Sequence, residues 1–401
     1  MRSPICRIRR TGISADTSRR RGCPILSRRT GRHVRDSVMI ITSVEPVVLR
    51  IPFIDGGAGE GIMPNRWTDL DITLVRVETD TGLVGWGEGF GYFCSEAVAA
   101  TIRRSIAPLL VGRQLSGPAV LNDEIQRKMV LQGRYGISTF ALSGVDIALW
   151  DLAAKALDTS VAGLIGERRR DTIPAYASLV RYADNDLVAT YATRAVDEGF
   201  RTVKLHEIEM TPIRRCRSAI GDTIGMIVDV NCNWNEAFTR EAIPELIELH
   251  TRWLEEPTWP PEDFAQLAGL RETGIPLAAG ENACTAVQFA QILRTGAVDY
   301  LQPSITKVGG FTELNKIRAL NRNERRPLML HSPYFGPGYL ATLQVAAVEP
   351  DFELFEYLYV WPQAWLYQDM PLPRNGSVAI PEGPGLGLEP DPDIITRYRV
   401  V

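Results

Sequence analysis

The chain has 401 residues, 45% hydrophobic and 23% charged, with a net charge of −4. That balance suits a globular chain large enough for one barrel plus a smaller domain, and no uninterrupted apolar stretch approaches the ~20 residues of a transmembrane helix. The acidic surplus speaks against a nucleic-acid partner, and six cysteines without paired or C-x-x-C spacing fit reduced thiols in the cytoplasm.

Charge is unevenly placed. Residues 1–38 hold eleven Arg, no Lys and two acidic residues, so this leader carries +9 and the remainder −13. Such a segment reads as a disordered basic tail, an Arg-rich targeting segment, or sequence upstream of the true start. The last is favoured, because Met39 opens the first apolar strand pattern. The leader is expected to add nothing to the fold.

Residues 41–51 and 73–80 alternate in polarity, Thr81-Gly82 signals a turn, and 83–88 returns as a strand, so a three-stranded antiparallel sheet is predicted. Between the first two strands lies the glycine-rich run 55–61, too irregular for a phosphate-binding fingerprint and read as part of a lid over 53–67. Helical patterns follow at 95–110 and 139–157, the second apolar enough to dock on a barrel.

From Ser178 onward one interval governs the chain. Ser178, Lys204, Asp229, Glu255, Glu281, Ser304, His331 and Glu356 each close or sit in a short apolar run, at steps of 26, 25, 26, 26, 23, 27 and 25 residues. One strand plus one returning helix consumes that length, and helical patterns at 187–197, 236–249 and 285–293 occupy the gaps. Eight such units predict a parallel sheet closed into a barrel, with its chemistry at the C-terminal strand ends. Asp229, Glu255 and Glu281 then converge, and they repel unless a cation sits among them. Oxygen-only ligands favour a hard ion such as Mg²⁺, one per subunit. Glu256 is a rival ligand, but it breaks the interval.

Of four histidines, His33 lies in the leader and His250 ends a helical pattern, where the helix dipole accounts for it. His206 and His331 stand at strand ends on opposite sides of the proposed metal site, one for each face of a substrate's α carbon. Lys204 and His206 share the barrel interior, and the lysine cation favours a neutral imidazole.

From about residue 40 onward the chain resembles the enolase superfamily, in its mandelate-racemase-like branch. The resemblance is carried by Thr81-Gly82 with Gly85-Trp86-Gly87-Glu88, by Gly144-Val145-Asp146-Ile147-Ala148-Leu149-Trp150-Asp151, and by Leu254-Glu255-Glu256-Pro257. Gly280-Glu281-Asn282 and Thr306-Lys307-Val308-Gly309-Gly310 add to it. It implies an α/β fold: an α+β capping domain over 39–165, a modified (β/α)₇β TIM-type barrel over 166–367, and a segment 368–401 returning to the cap. It also implies Mg²⁺ on Asp229, Glu255 and Glu281, a symmetric homo-oligomer, and removal of a proton alpha to a carboxylate with stabilisation of the enolate.

Two positions depart from that pattern. The second-strand motif, usually Lys-x-Lys, is here Lys204-Leu205-His206. The branch pairs its seventh-strand histidine, here His331, with a sixth-strand aspartate, but Ser304 occupies that position and is expected to orient the imidazole. Asn231 and Lys307 are expected behind the metal ligands.

The expected activity is dehydration of an acid sugar to a 2-keto-3-deoxy acid. Lys204 and Mg²⁺ bind the carboxylate, with Ser178 and Glu356 nearby. His206 takes the α proton and His331 protonates the departing β hydroxyl, roles the two could exchange. A racemase or epimerase is one alternative, and a barrel that binds a small carboxylate without turnover is another. The lid and residues 90–94 are expected to select the acid.

Overall fold

The computed structural model describes residues 38–57 and 66–400; residues 1–37 of the leader and 58–65 of the expected lid lie outside the described residues. The predicted hairpin and its neighbour form β1 (Ile41–Ile54), β2 (Asp69–Thr79) and β3 (Val84–Gly89), paired antiparallel. Alternation along β2 sends Val75 and Val77 into the cap's own core, and Ile72 and Leu74 into the larger core shared with the barrel.

The helix Ile137–Ala156 is long and apolar enough to cross a membrane by composition alone, but most of it is buried inside the protein. It packs on β3 at very short range. A Cβ on Gly87 would lie 2.0 Å from the Gly144 carbonyl oxygen, so glycine is required there. Two buried aspartates of this helix act as brackets. Asp146 accepts from the Thr312 amide at 3.0 Å, the Thr312 hydroxyl at 2.6 Å and Asn122 Nδ2 at 2.8 Å, holding the start of the helix Gly310–Asn321. Burial pushes its carboxyl up to about 7. Asp151 accepts from the amides of Trp86 at 2.8 Å and Leu386 at 2.7 Å, and pairs with Lys155 at 2.8 Å.

The interval of about 26 residues is realised as parallel strands β4 (Thr172–Ser178), β5 (Thr202–Leu205), β6 (Gly225–Asp229), β7 (Thr251–Glu255), β8 (Leu277–Ala279), β9 (Tyr300–Leu301) and β10 (Phe355–Leu358). They pair in chain order, and β10 pairs with β4. The run predicted as the seventh barrel strand makes only a bridge, Leu301 to Leu328, because Pro303 and Pro327 remove ladder donors on both sides. It still closes the ring: Met329 N donates to Leu301 O at 2.8 Å and Leu328 N to Asp351 O at 3.0 Å. Inward-pointing Tyr176, Ile227, Trp253, Ala278 and Met329 fill the barrel as a separate packed layer. Helices Asn185–Asp197, Glu236–Glu248 and Thr285–Thr295 occupy the predicted gaps.

Past the barrel, the short strand Trp361–Pro362 pairs with Phe53 and Ile54 of β1. Ser377–Ala379 pairs with β4, and Val400 N donates to Val48 O at 2.9 Å on the cap sheet.

Candidate active site

The barrel register sets the site. Asp229 and Glu255 end β6 and β7 as direct cross-strand partners, and Glu281 follows β8 through Gly280, whose φ is +138°. One carboxylate oxygen from each lies within 4.8 Å of the others, so the structure brings the three predicted metal ligands together. Glu256 turns elsewhere, accepting from Asn282 Nδ2 at 2.7 Å and Cys232 Sγ at 3.4 Å.

Lys204 is the internal counter-ion. Its Nζ lies 3.1 Å from Asp229, 2.9 Å from Glu255 and 2.7 Å from Glu356, all of them buried. Burial alone would neutralise this lysine, but Glu255 and Glu356 hold its pKa well above the ordinary range. Burial and the neighbouring Asp229 raise Glu255. Asp229 is equally buried, yet Lys204 brings it below the usual carboxylate range. Five acidic side chains (Asp229, Glu255, Glu256, Glu281 and Glu356) crowd two lysines (Lys204 and Lys307), an excess of acid over fixed positive charge. Asp229 Oδ2 makes no hydrogen bond of acceptable angle, although Lys204 Nζ and His206 Nε2 stand at 3.1 and 3.3 Å. A free carboxylate lone pair and that excess of acid fit a divalent, oxygen-liganded cation.

The two histidines stand at opposite ends of the carboxylate row. His206 Nδ1 meets the Leu179 carbonyl, which can only accept, so Nδ1 carries the proton and Nε2 faces Asp229. His331 Nε2 lies 2.8 Å from Glu281 Oε2. Burial would raise Glu281, but His331 and Lys307 hold it down at about 2.

Ser304 does not reach His331. Tyr334 stands between them, its hydroxyl 3.1 Å from His331 Nδ1 and 2.5 Å from Ser304 Oγ. The expected serine contact is thus relayed by a phenol, and Tyr334 is the site residue that sequence reasoning missed. It lies three residues past His331 in a run without regular structure, where no periodicity could have marked it.

Ser178 Oγ donates to Glu356 Oε1 at 2.9 Å, and the Ser332 amide donates to Glu356 Oε2 at 2.8 Å. Asn231 touches Asp229 through its backbone amide, at 2.9 Å, because the chain turns at a φ of +42°. Its side chain lines the cavity. Lys307 Nζ donates to Asn282 Oδ1 at 3.1 Å and lies 3.9 Å from Glu281. His250 is exposed, 3.8 Å from Asp222.

A cavity of about 460 Å³ opens above these groups, between the barrel ends and the cap. A larger one, about 580 Å³, lies away from them beside Arg169, Arg318, Arg322 and Arg325. Arg318 there pairs with Glu349 at 2.6 Å and donates to the Ile165 carbonyl, and Arg325 lies 3.6 Å from Asp351. Those partners account for arginines at helix ends, so the chemistry belongs to the smaller cavity.

Residues 187–394 match the family described as Enolase C-terminal domain-like, and residues 67–166 match the mandelate racemase/muconate lactonizing enzyme N-terminal domain. The chain belongs to the mandelate racemase/muconate lactonizing branch of the enolase superfamily. A D-galactonate dehydratase of Verminephrobacter eiseniae is 32% identical, over 82% of this chain and 89% of its own. A D-galactarolactone cycloisomerase of Agrobacterium fabrum is 31% identical, over 82% and 91%. The crystal structure of a racemase from Streptomyces coelicolor A3(2) with bound magnesium is similar at a TM-score of 0.80 and 25% identity, covering 90% of this chain and all of that one. The superfamily fold, a modified TIM barrel beneath a strand-rich cap, is the one described above.

Proposed function

We propose that this enolase-superfamily enzyme takes the α proton of an acid sugar and expels its β hydroxyl, giving a 2-keto-3-deoxy acid. One observation carries the proposal: a carboxylate trio faced at each end by an imidazole nitrogen, His206 Nε2 at Asp229 and His331 Nε2 at Glu281. Asp229, Glu255 and Glu281 would hold Mg²⁺, whose charge would stabilise the enolate as it forms.

The chain's own groups divide the remaining work. Lys204 supplies a second positive charge beside the substrate carboxylate, and the hydrogen bonds of Ser178 and Ser332 fix Glu356 against it. His206, protonated on Nδ1, presents a free Nε2 lone pair and suits the base. His331 meets the Glu281 carboxylate through Nε2, which suits an N–H there, and the Tyr334 hydroxyl can accept from Nδ1, so the ring is placed to carry a proton on each nitrogen. It therefore suits the acid. The α C–H bond breaks with its proton going to His206. The β C–O bond breaks with a proton from His331, water leaves, and the enol tautomerises to the keto acid. The naming of a similar protein as a D-galactonate dehydratase supports loss of water from an acid sugar.

The test is incubation of the purified chain with Mg²⁺ and a panel of sugar acids in deuterated water. Accumulation of a 2-keto acid is expected. Deuterium at the α carbon with inversion and no keto acid would make the protein a racemase or epimerase instead. Absence of exchange with every acid would leave a barrel that binds carboxylates without turning them over.

A further inference from the structure

The cavity above the carboxylate row has two unlike walls. The barrel wall is polar, built from residues such as Ser178, His206, Asn231, Lys307 and His331. Among the described residues that line the cavity, the cap contributes five aromatic rings, Trp67, Phe90, Tyr92, Phe93 and Phe140, and one thiol, Cys94.

Little polar capacity remains on that cap wall. The Tyr92 hydroxyl donates to the Pro333 carbonyl. Cys94 Sγ donates to Phe90 O at 3.7 Å, and burial pushes the thiol up to about 11, as apolar surroundings require. Only the indole N–H of Trp67 adds a further donor among these six side chains. The rings also brace one another edge to face, with centroids 4.9 Å apart for Trp67 and Tyr92, 5.4 Å for Phe90 and Tyr92, and 5.1 Å for Phe90 and Phe140.

Phe93 is the most telling of them. It holds a φ of +59°, a left-handed conformation unfavourable for a bulky residue, and it is 49% exposed. The chain thus bears local strain while leaving an aromatic ring open to the cavity, 6.3 Å from Trp67.

We infer that the distal end of the substrate is a ring that lays a C–H or π face on this aromatic wall, and not an open polyhydroxy chain. This rests on the reading that the carboxylate end sits over Asp229, Glu255 and Glu281. An open chain would press several hydroxyls against a wall whose described side chains offer one further donor, each unanswered hydroxyl costing roughly tenfold in affinity. A ring meets the wall with its hydroxyl-poor face and turns its polar edge to Asn231 and Lys307. Two sources share this chemistry, a ring-closed sugar acid and an aryl-bearing hydroxy acid.

The experiment measures equilibrium binding and α-proton exchange, with Mg²⁺ present, for three probes: an open-chain aldonate, a lactone or anhydro-ring sugar acid, and an aryl-bearing β-hydroxy acid. At least one ring-bearing acid should exceed the open-chain acid by about tenfold or more in affinity and kcat/KM, and whichever leads identifies the source. Phe93→Asn, a residue tolerant of left-handed backbone, should reduce that preference roughly tenfold. Equal or tighter binding of the open-chain acid, or a preference unmoved by Phe93→Asn, would overturn the inference. Ring-selective binding without exchange would uphold it while removing the catalytic reading.

Discussion

Replacing Tyr334 with phenylalanine deletes one oxygen and, with it, the link between His331 and Ser304. Both partners are buried, at 7% and 0% exposure. Ser304 keeps a fallback in Thr306 Oγ1 at 3.4 Å, so the loss falls on His331 Nδ1. A buried polar atom stripped of its partner costs about 1–3 kcal/mol, and that is the stability loss expected from denaturant titration of Tyr334→Phe. The kinetic loss has a separate origin. An imidazole without its Nδ1 partner samples other ring orientations and the other tautomer, which lowers kcat by roughly ten- to a hundredfold. KM should move little, since the phenol oxygen is turned towards His331 and Ser304 and the carboxylate grip is untouched. Ser304→Ala, which leaves the tyrosine in place, should give a smaller fall in the same direction. Steady-state kinetics on the best acid of the panel decide the matter. A Tyr334→Phe enzyme with full kcat and reduced stability would refute the reasoning and make Tyr334 a packing residue.

Glu88 is buried, with the Gly338 amide donating to it at 2.7 Å, and burial pushes its carboxyl up to about 8. The fold thus holds the proton more tightly than the unfolded chain does, so its contribution falls as pH rises from about 4.5 towards 8. Glu88→Gln should match the native melting temperature near pH 5 and exceed it at pH 9, with a ceiling of about 5 kcal/mol; parallel pH profiles would contradict this. Adding Mg²⁺ to metal-stripped protein should stabilise it by about 2.7 kcal/mol at a hundredfold excess over Kd, and Glu281→Gln should abolish the effect. A thermal shift that survives Glu281→Gln would place the ion elsewhere. Lys204→Met strips three buried carboxylates of their shared cation and should cost about 3–5 kcal/mol in metal-free denaturation, whereas an unaltered midpoint would show that the charges are screened otherwise.

The barrel was legible because each strand-helix unit consumes nearly the same length, so residues that share a depth in the barrel recur at one interval. Asp229, Glu255 and Glu281 inherit their convergence from that repetition. Contacts made across loops leave no such mark. The Tyr334 relay depends on how 331–335 folds back over β9, and spacing does not encode that path. Asn231 is expected behind the metal ligands, yet its contact with Asp229 is made by the backbone, because a positive φ rotates the residue at the strand end. The predicted helix 95–110 is interrupted by a π turn at Ile102–Ile106, which an apolar pattern alone does not distinguish from regular helix. The fourth cap strand, Trp361–Pro362, is two residues long and too short to announce itself.

The brackets at Asp146 and Asp151 bear on how traffic reaches the cavity. One clamps the long cap helix to the barrel wall, and the other ties it to the hairpin and the returning C-terminal segment. The first joins cap to barrel directly and the second through the C-terminal segment, whose Leu386 carbonyl accepts from Gln344 Nε2 at 3.2 Å, so hinging the two halves apart would break both. Passage in and out is left to short excursions of the turn 92–94 beyond β3, which lines the cavity. The gate of this enzyme can therefore be re-engineered without loosening the hinge line that keeps the molecule whole.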